Sequence, residues 1–272
     1  MISFYLFLML CVLLPFSNAM AQTNKKYQEM SEAEQLALIE QQGQRLAQSL
    51  TVNGNAPLSF GRDAAIAVKA FVDKYAKRVG NKATNNWQED LNFVFARAIN
   101  HTSDIAVIYS EQSLPPALGI YTAMIESEFH DCLTSPMGAK GIFQMLPTTM
   151  KSYGGDPNDL CSLKPSATAA ARYHTKLLKD YGANGLGVAL AVLSYNQGES
   201  AVKKEVLSRL SKEKAEADFW SMMFNPNAAN LSDNVTREGS KYVLTFYAAV
   251  IVGENPESFG IQSKPLSSMA NF

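Results

Sequence analysis

An all-α fold is what this sequence predicts, with a helical segment appended ahead of a denser helical domain. Three observations carry that expectation. Apolar residues recur at helical spacing between N-cap residues and glycine or proline stops, and no alternating strand pattern appears before Leu114. The chain has no internal repeat at a period of roughly 20–50 residues and no low-complexity segment. Its 272 residues are 47% apolar and 18% charged, enough to bury one or two globular cores.

The elements follow in order. Residues 4–14 are apolar without interruption, and Pro15 ends the run. A helix over them spans about 16 Å, roughly half a bilayer core. Ala19 and Ala21 then form an Ala-x-Ala pattern before Gln22, so residues 1–21 read as a secretory signal peptide. An uncleaved N-terminal anchor is the alternative, because this stretch carries no Lys or Arg. Leu10 is too bulky to precede a lipidated Cys11. An exported protein is expected, with no stable membrane span once the signal is cleaved.

Residues 22–111 form the appended segment. Ser31-Glu-Ala-Glu34 is a capping box, followed by Leu36, Ile39, Leu46 and Leu50, and predicts a helix over 31–50. Asn-Gly, Pro and Gly make 51–61 a loop. Asp63 is expected to cap a helix reaching Val79, with Gly80 as its stop. Helices near 87–100 and 103–111 come next. Pro115-Pro116 opens a helix over 116–129. The turn-rich Ser135-Pro-Met-Gly-Ala-Lys-Gly141 precedes a short helix at 142–146 and another after Pro147. Helices at 166–181, 187–195, 199–212, 214–223 and 236–252 complete the domain, taken as 112–260, with a tail at 261–272. Gly154-Gly-Asp-Pro-Asn-Asp159 lacks the spacing of a calcium loop and reads as a turn.

The net charge of −1 argues against nucleic acid as a partner, since such binding needs a basic surface. After signal removal Cys132 and Cys161 remain, and an even pair in an exported protein suggests a disulfide. Closing that loop would stabilise the fold by roughly 3–4 kcal/mol on the chain-entropy model; two buried thiols are the alternative. His101, His130 and His174 have no zinc-ligand spacing, and no phosphate loop, nucleophile elbow or dinucleotide fingerprint occurs. No cofactor or metal is expected.

The chemistry concentrates between Ile125 and Pro147. Glu126 lies near the end of an otherwise apolar helix, on a stripe with Leu118, Thr122 and Phe129. That setting permits partial burial, which raises a carboxyl pKa toward what a general acid needs. Periodicity alone does not exclude Glu128.

Glu126-Ser-x-Phe129, followed by Ser135-Pro-x-Gly-Ala-x-Gly-Ile-Phe-Gln144-x-x-Pro147, resembles the transglycosylase SLT domain of bacterial lytic transglycosylases. Ser194-Tyr-Asn-Gln-Gly198 is similar to its Ala-Tyr-Asn-Ala-Gly segment, and Glu238-Gly-Ser-Lys-Tyr242-Val243 to its Glu-Thr-Arg-x-Tyr-Val segment. Leu114-Pro-Pro and Gly253-Glu-Asn-Pro-Glu-Ser-Phe-Gly260 resemble the membrane-bound D-type branch. The resemblance implies a lysozyme-like helical domain acting on peptidoglycan glycan strands, without a cofactor. It assigns Glu126 as acid/base and Tyr195 as the phenol bonded to its carboxyl. Ser135, Phe143 and Gln144 would line the sugar cleft, Asn196 would bind sugar, and Tyr242 would stand nearby. Ser135 as a turn cap, and Tyr195 and Tyr242 as core aromatics, are the plainer readings. Gly138 and Gly141 are expected to serve only the turn.

The chain departs from that pattern at Gln197, Leu146, Gly239-Ser240 and His130-Asp131-Cys132. A two-carboxylate glycosidase needs a second acid about 5–9 Å away. Glu128 points roughly 200° around the helix from Glu126, so both cannot face one bond. The family route uses one carboxyl: it protonates the bond leaving muramic acid, then takes the 6-hydroxyl proton as a 1,6-anhydro ring closes. The alternatives are a water-using muramidase, with Asp131 or Glu199 as second carboxylate, a silent glycan-binding protein, and a helical scaffold.

Overall fold

A computed structural model describes residues 25–52, 54–83 and 87–269. The signal-peptide reading of residues 1–21, with Cys11, lies outside them. Among the described residues there are eleven α-helices and no strand, only the isolated bridges Thr134–Lys140 and Lys140–Met145. The all-α class therefore holds.

Three helices are apolar on every side, and they are the ones the fold encloses. They are α5 (Pro116–Ser127), α8 (Gly185–Gln197) and α11 (Ser240–Glu254). Residues 117–124, 188–194 and 246–253 are all buried. Helices with one apolar stripe surround them. α1 (Glu32–Ala47) lies on α2 (Arg62–Ala76), and both lie on α11. α4 (Thr102–Glu111) packs against α5 and α7 (Leu163–Tyr181), and α7 against α8. The remaining elements are α3 (Leu91–Ala98), α6 (Pro147–Ser152), α9 (Glu199–Glu205) and α10 (Ala215–Phe224).

The appended segment shares the apolar core of the rest. The Phe60 ring meets Trp220 edge-on, centroids 5.4 Å apart, and also touches Tyr247. The far ends of the fold meet as well: Gln28 Nε2 donates to the Phe259 carbonyl at 3.2 Å, and the Tyr27 ring lies 4.9 Å from that of Phe259.

The capping box forms as expected: Glu34 N–H donates to Ser31 Oγ, and Ser31 N–H to Glu34 Oε2. Elsewhere boundaries move. Gly61, not Asp63, is the N-cap of α2; Asp63 sits in the first turn, where its charge faces the helix's positive end. α3 starts only at Leu91, capped by Asp90. The helix expected at 199–212 stops at Glu205 and gives way to a 3-10 turn, Leu207–Arg209. No helix forms at 142–146. Gly141 and Gln144 have φ of 79° and 44°, and two left-handed residues so close together break a helix into a turn. The expected disulfide is present: Cys132 and Cys161, 29 residues apart, are bonded with Cα atoms 4.8 Å apart.

Candidate active site

The site is built on the C-terminal end of α5. Glu128 and Phe129 both adopt left-handed backbone, φ 49° and 63°, so the chain reverses sharply just past Glu126. The reversal separates the two carboxyls that periodicity left open. Glu128 is 1% exposed and gripped by both arms of Arg78, Nη1 to Oε1 at 2.5 Å and Nη2 to Oε2 at 2.9 Å. Arg97 Nε donates to the Glu128 carbonyl at 2.9 Å. Glu128 is thus spent on the appended segment.

Glu126 is half-buried, and Tyr242 Oη donates to its Oε1 at 2.6 Å. Burial disfavours its charged form and lifts its pKa to about 7, against the opposing pull of the Tyr242 hydrogen bond. Near neutrality such a carboxyl can both give and take a proton.

Tyr195 corrects the expectation for it. Its hydroxyl donates not to Glu126 but to the Phe143 carbonyl, at 2.9 Å. The reason is the aromatic stack that fixes the ring. His174 lies parallel to it with centroids 4.8 Å apart, and the buried Tyr109 hydroxyl bonds His174 Nδ1 at 3.1 Å. Burial pushes the His174 pKa down to about 3, so the ring is neutral. Burial, with the Glu126 charge adding to it, also holds the Tyr195 phenol neutral.

The loop after α5 is held by its own polar groups. Ser135 Oγ accepts from Ala139 N–H at 3.0 Å, and Ser135 N–H donates to the Ala139 carbonyl at 2.9 Å, so Ser135 does serve as a turn cap. Gln144 Nε2 donates to the Leu133 and Gly141 carbonyls, both at 2.8 Å, so the amide nitrogen of this expected cleft residue is engaged by its own loop. Gly141 is required twice over, by its φ of 79° and because a Cβ would stand 1.9 Å from the Leu160 carbonyl oxygen. Phe143 offers no cleft wall. It is 0% exposed, packed against Tyr109, because the turn at 141–144 sends it into the core. Asn196 is exposed at the end of α8.

Two residues were given no role of their own in the sequence reading. Ser127 Oγ donates to the Ile142 carbonyl at 2.9 Å and ties α5 to the loop. Its signal was a serine inside an apolar helix, which needs an acceptor when buried. Arg78 carried no local signal at all. A concavity of about 930 Å³ opens elsewhere, beside Ser59, Arg62, Asn184 and Trp220, and no motif residue lines it.

Residues 105–218 match the family model of the transglycosylase SLT domain. Over 176 residues the chain is 27% identical to membrane-bound lytic murein transglycosylase D of Escherichia coli strain K12, covering 63% of this chain and 35% of that protein. The same protein from a second Escherichia coli strain matches equally. The chain therefore spans about a third of the length of the curated relatives it matches. Among solved structures it is similar to the lytic transglycosylase Slt of Pseudomonas aeruginosa in an inactive mutant form, at 17% identity and a TM-score of 0.48, over 75% of this chain and 31% of that one. It is also similar to a soluble lytic transglycosylase of Escherichia coli, at 18% identity and a TM-score of 0.42, over 87% and 44%. Tyr242 lies beyond the matched SLT span, yet it is the residue that touches Glu126.

Proposed function

We propose that this protein is a peptidoglycan lytic transglycosylase, a carbon–oxygen lyase that cuts the bond between N-acetylmuramic acid and N-acetylglucosamine without water. The observation that carries this reading is the single carboxyl at the end of α5 of an SLT domain, with its pKa lifted to about 7 and one phenol as its bonded partner. Protonated Glu126 donates to the glycosidic oxygen, and the bond to the muramic anomeric carbon breaks. The substrate's N-acetyl group assists at that carbon. The carboxylate so formed is held by the Tyr242 hydroxyl and takes the proton of the muramic 6-hydroxyl, whose oxygen closes the 1,6-anhydro ring. Glu126 ends protonated, as it began.

The candidate second carboxylates are engaged elsewhere, which supports a one-acid route. Asp131 is 73% exposed and lies 3.4 Å from the His101 imidazole, whose charged form burial disfavours. Glu199 is paired with Lys176 and Lys203, and Glu128 with Arg78. The Cys132–Cys161 bond supports an oxidising compartment, in keeping with the periplasm. No described helix is long and apolar enough to cross a membrane.

Digestion of purified sacculi in oxygen-labelled water tests the reaction. Mass spectrometry should find muramic ends one water lighter than hydrolysed ends and free of label. Labelled reducing ends would make the protein a hydrolase, and intact sacculi would leave a glycan-binding role.

A further inference from the structure

Gly239 has no backbone reason to be glycine. It closes the π-helical turn Val235–Gly239 ahead of α11 with φ of −63°, ordinary helical geometry open to any residue. Glycine there is unfavourable relative to alanine. The reason is space. A Cβ would stand 2.8 Å from Gln197 Cγ and 2.9 Å from Leu193 Cδ1, both on α8. Gln197 is half-buried and occupies the room that Gly239 leaves. From that seat its Nε2 donates to Asn196 Oδ1 at 2.6 Å.

We propose that Gln197, seated against Gly239, is a positioning residue of the cleft. It sets how closely α11 approaches α8, and so the reach of Tyr242, three residues past Gly239, to Glu126. It also donates to the amide oxygen of Asn196 and so fixes the orientation in which that amide meets the sugar. Two departures from the SLT pattern noted above fall on this one contact: Gln197 stands where the pattern has the smaller Ala, and Gly239 where it has the larger Thr. The seat stands on geometry alone, whereas the effects on Glu126 and on sugar rest on the proposed function.

A double-mutant cycle separates these parts. Thermal unfolding of the full chain reads the seat. Gly239→Ala alone should lower Tm by about 2–4 °C. In a Gln197→Ala background the same change should leave Tm level or raise it, since the collision is gone. Additive shifts would overturn the seat. Kinetics on soluble uncrosslinked glycan strands read the rest. Gly239→Ala should lower kcat about tenfold as Tyr242 draws away, and Gln197→Ala should restore most of it. Gln197→Met fills the seat without an amide, so kcat should stay near wild type while KM rises about threefold to tenfold. An unchanged KM would overturn the claim on Asn196, and an unchanged kcat in Gly239→Ala would overturn the claim on Tyr242. A coupled Tm cycle in a protein inactive toward glycan would sink the lytic reading and both cleft claims, with the seat intact.

Discussion

At the residue scale the site turns on one proton. Glu126→Gln keeps the shape and cannot transfer that proton, so on the proposed reaction release of anhydro products should fall about a hundredfold or more. Its effect on stability has a definite sign. A carboxyl with a raised folded pKa contributes stability that is full below the unfolded pKa of about 4.3 and is lost as pH rises to about 7. Glu126→Gln should therefore unfold at the wild-type temperature near pH 4. At pH 8 it should be more stable than wild type by about 1–2 kcal/mol, read by denaturant titration at both pH values. Tyr242→Phe removes the bond that favours the ionised form, so the alkaline limb of the pH–rate profile should move to higher pH. Turnover near neutrality should drop about tenfold, because the second half-reaction needs the carboxylate. Tyr195→Phe has a different signature: it leaves the Phe143 carbonyl without its donor and should cost about 1 kcal/mol of stability. The two tyrosines were legible as a pair and not in their roles. Sequence order cannot say which of two phenols reaches a carboxylate. The stacking of Tyr195 on His174, which decides it, joins α8 to α7 through space.

At the element scale the helix that carries Glu126 depends on what lies behind it. Glu128 and Arg78 are 50 residues apart and nearly buried, with side chains 2% and 11% exposed. Removing one member of such a pair strands the other charge. Glu128→Ala should cost about 3–5 kcal/mol in chemical denaturation, while Glu128→Ala combined with Arg78→Met should recover part of it. The loop from Cys132 to Cys161 offers a second check. Reduction, or Cys132→Ser with Cys161→Ser, should lower stability by roughly 3–4 kcal/mol on the chain-entropy model. Legibility followed the range of the forces involved. Caps, glycine stops and all-round apolar runs are local, and they placed most helices within a few residues. The expected helix at 142–146 failed because Gln144 carries a left-handed backbone, held by its own amide bonds to Leu133 and Gly141, and nothing in a glutamine announces that.

At the scale of the whole molecule the question is what residues 25–111 contribute. Their helices share one apolar core with the SLT span, and Arg78 and Arg97 hold the end of α5. A chain beginning at residue 105 should therefore lose the sharp near-ultraviolet dichroism of packed aromatics and become protease-sensitive, even though it retains the whole matched family span. A truncated form as stable as the parent would show the two parts to be independent.

The contact between Gln28 and the Phe259 carbonyl has a consequence for how the protein comes into being. A ribosome must add 231 residues after Gln28 before its partner exists. α2 waits almost as long for α11, the helix it packs on. Until then the first two helices have only each other to pack on, and short helices so lightly covered are marginal in water. The helices of residues 25–76 therefore stay loosely held while the segment up to Phe259 is made, open to chaperones until α11 and the Phe259 turn arrive to cover them.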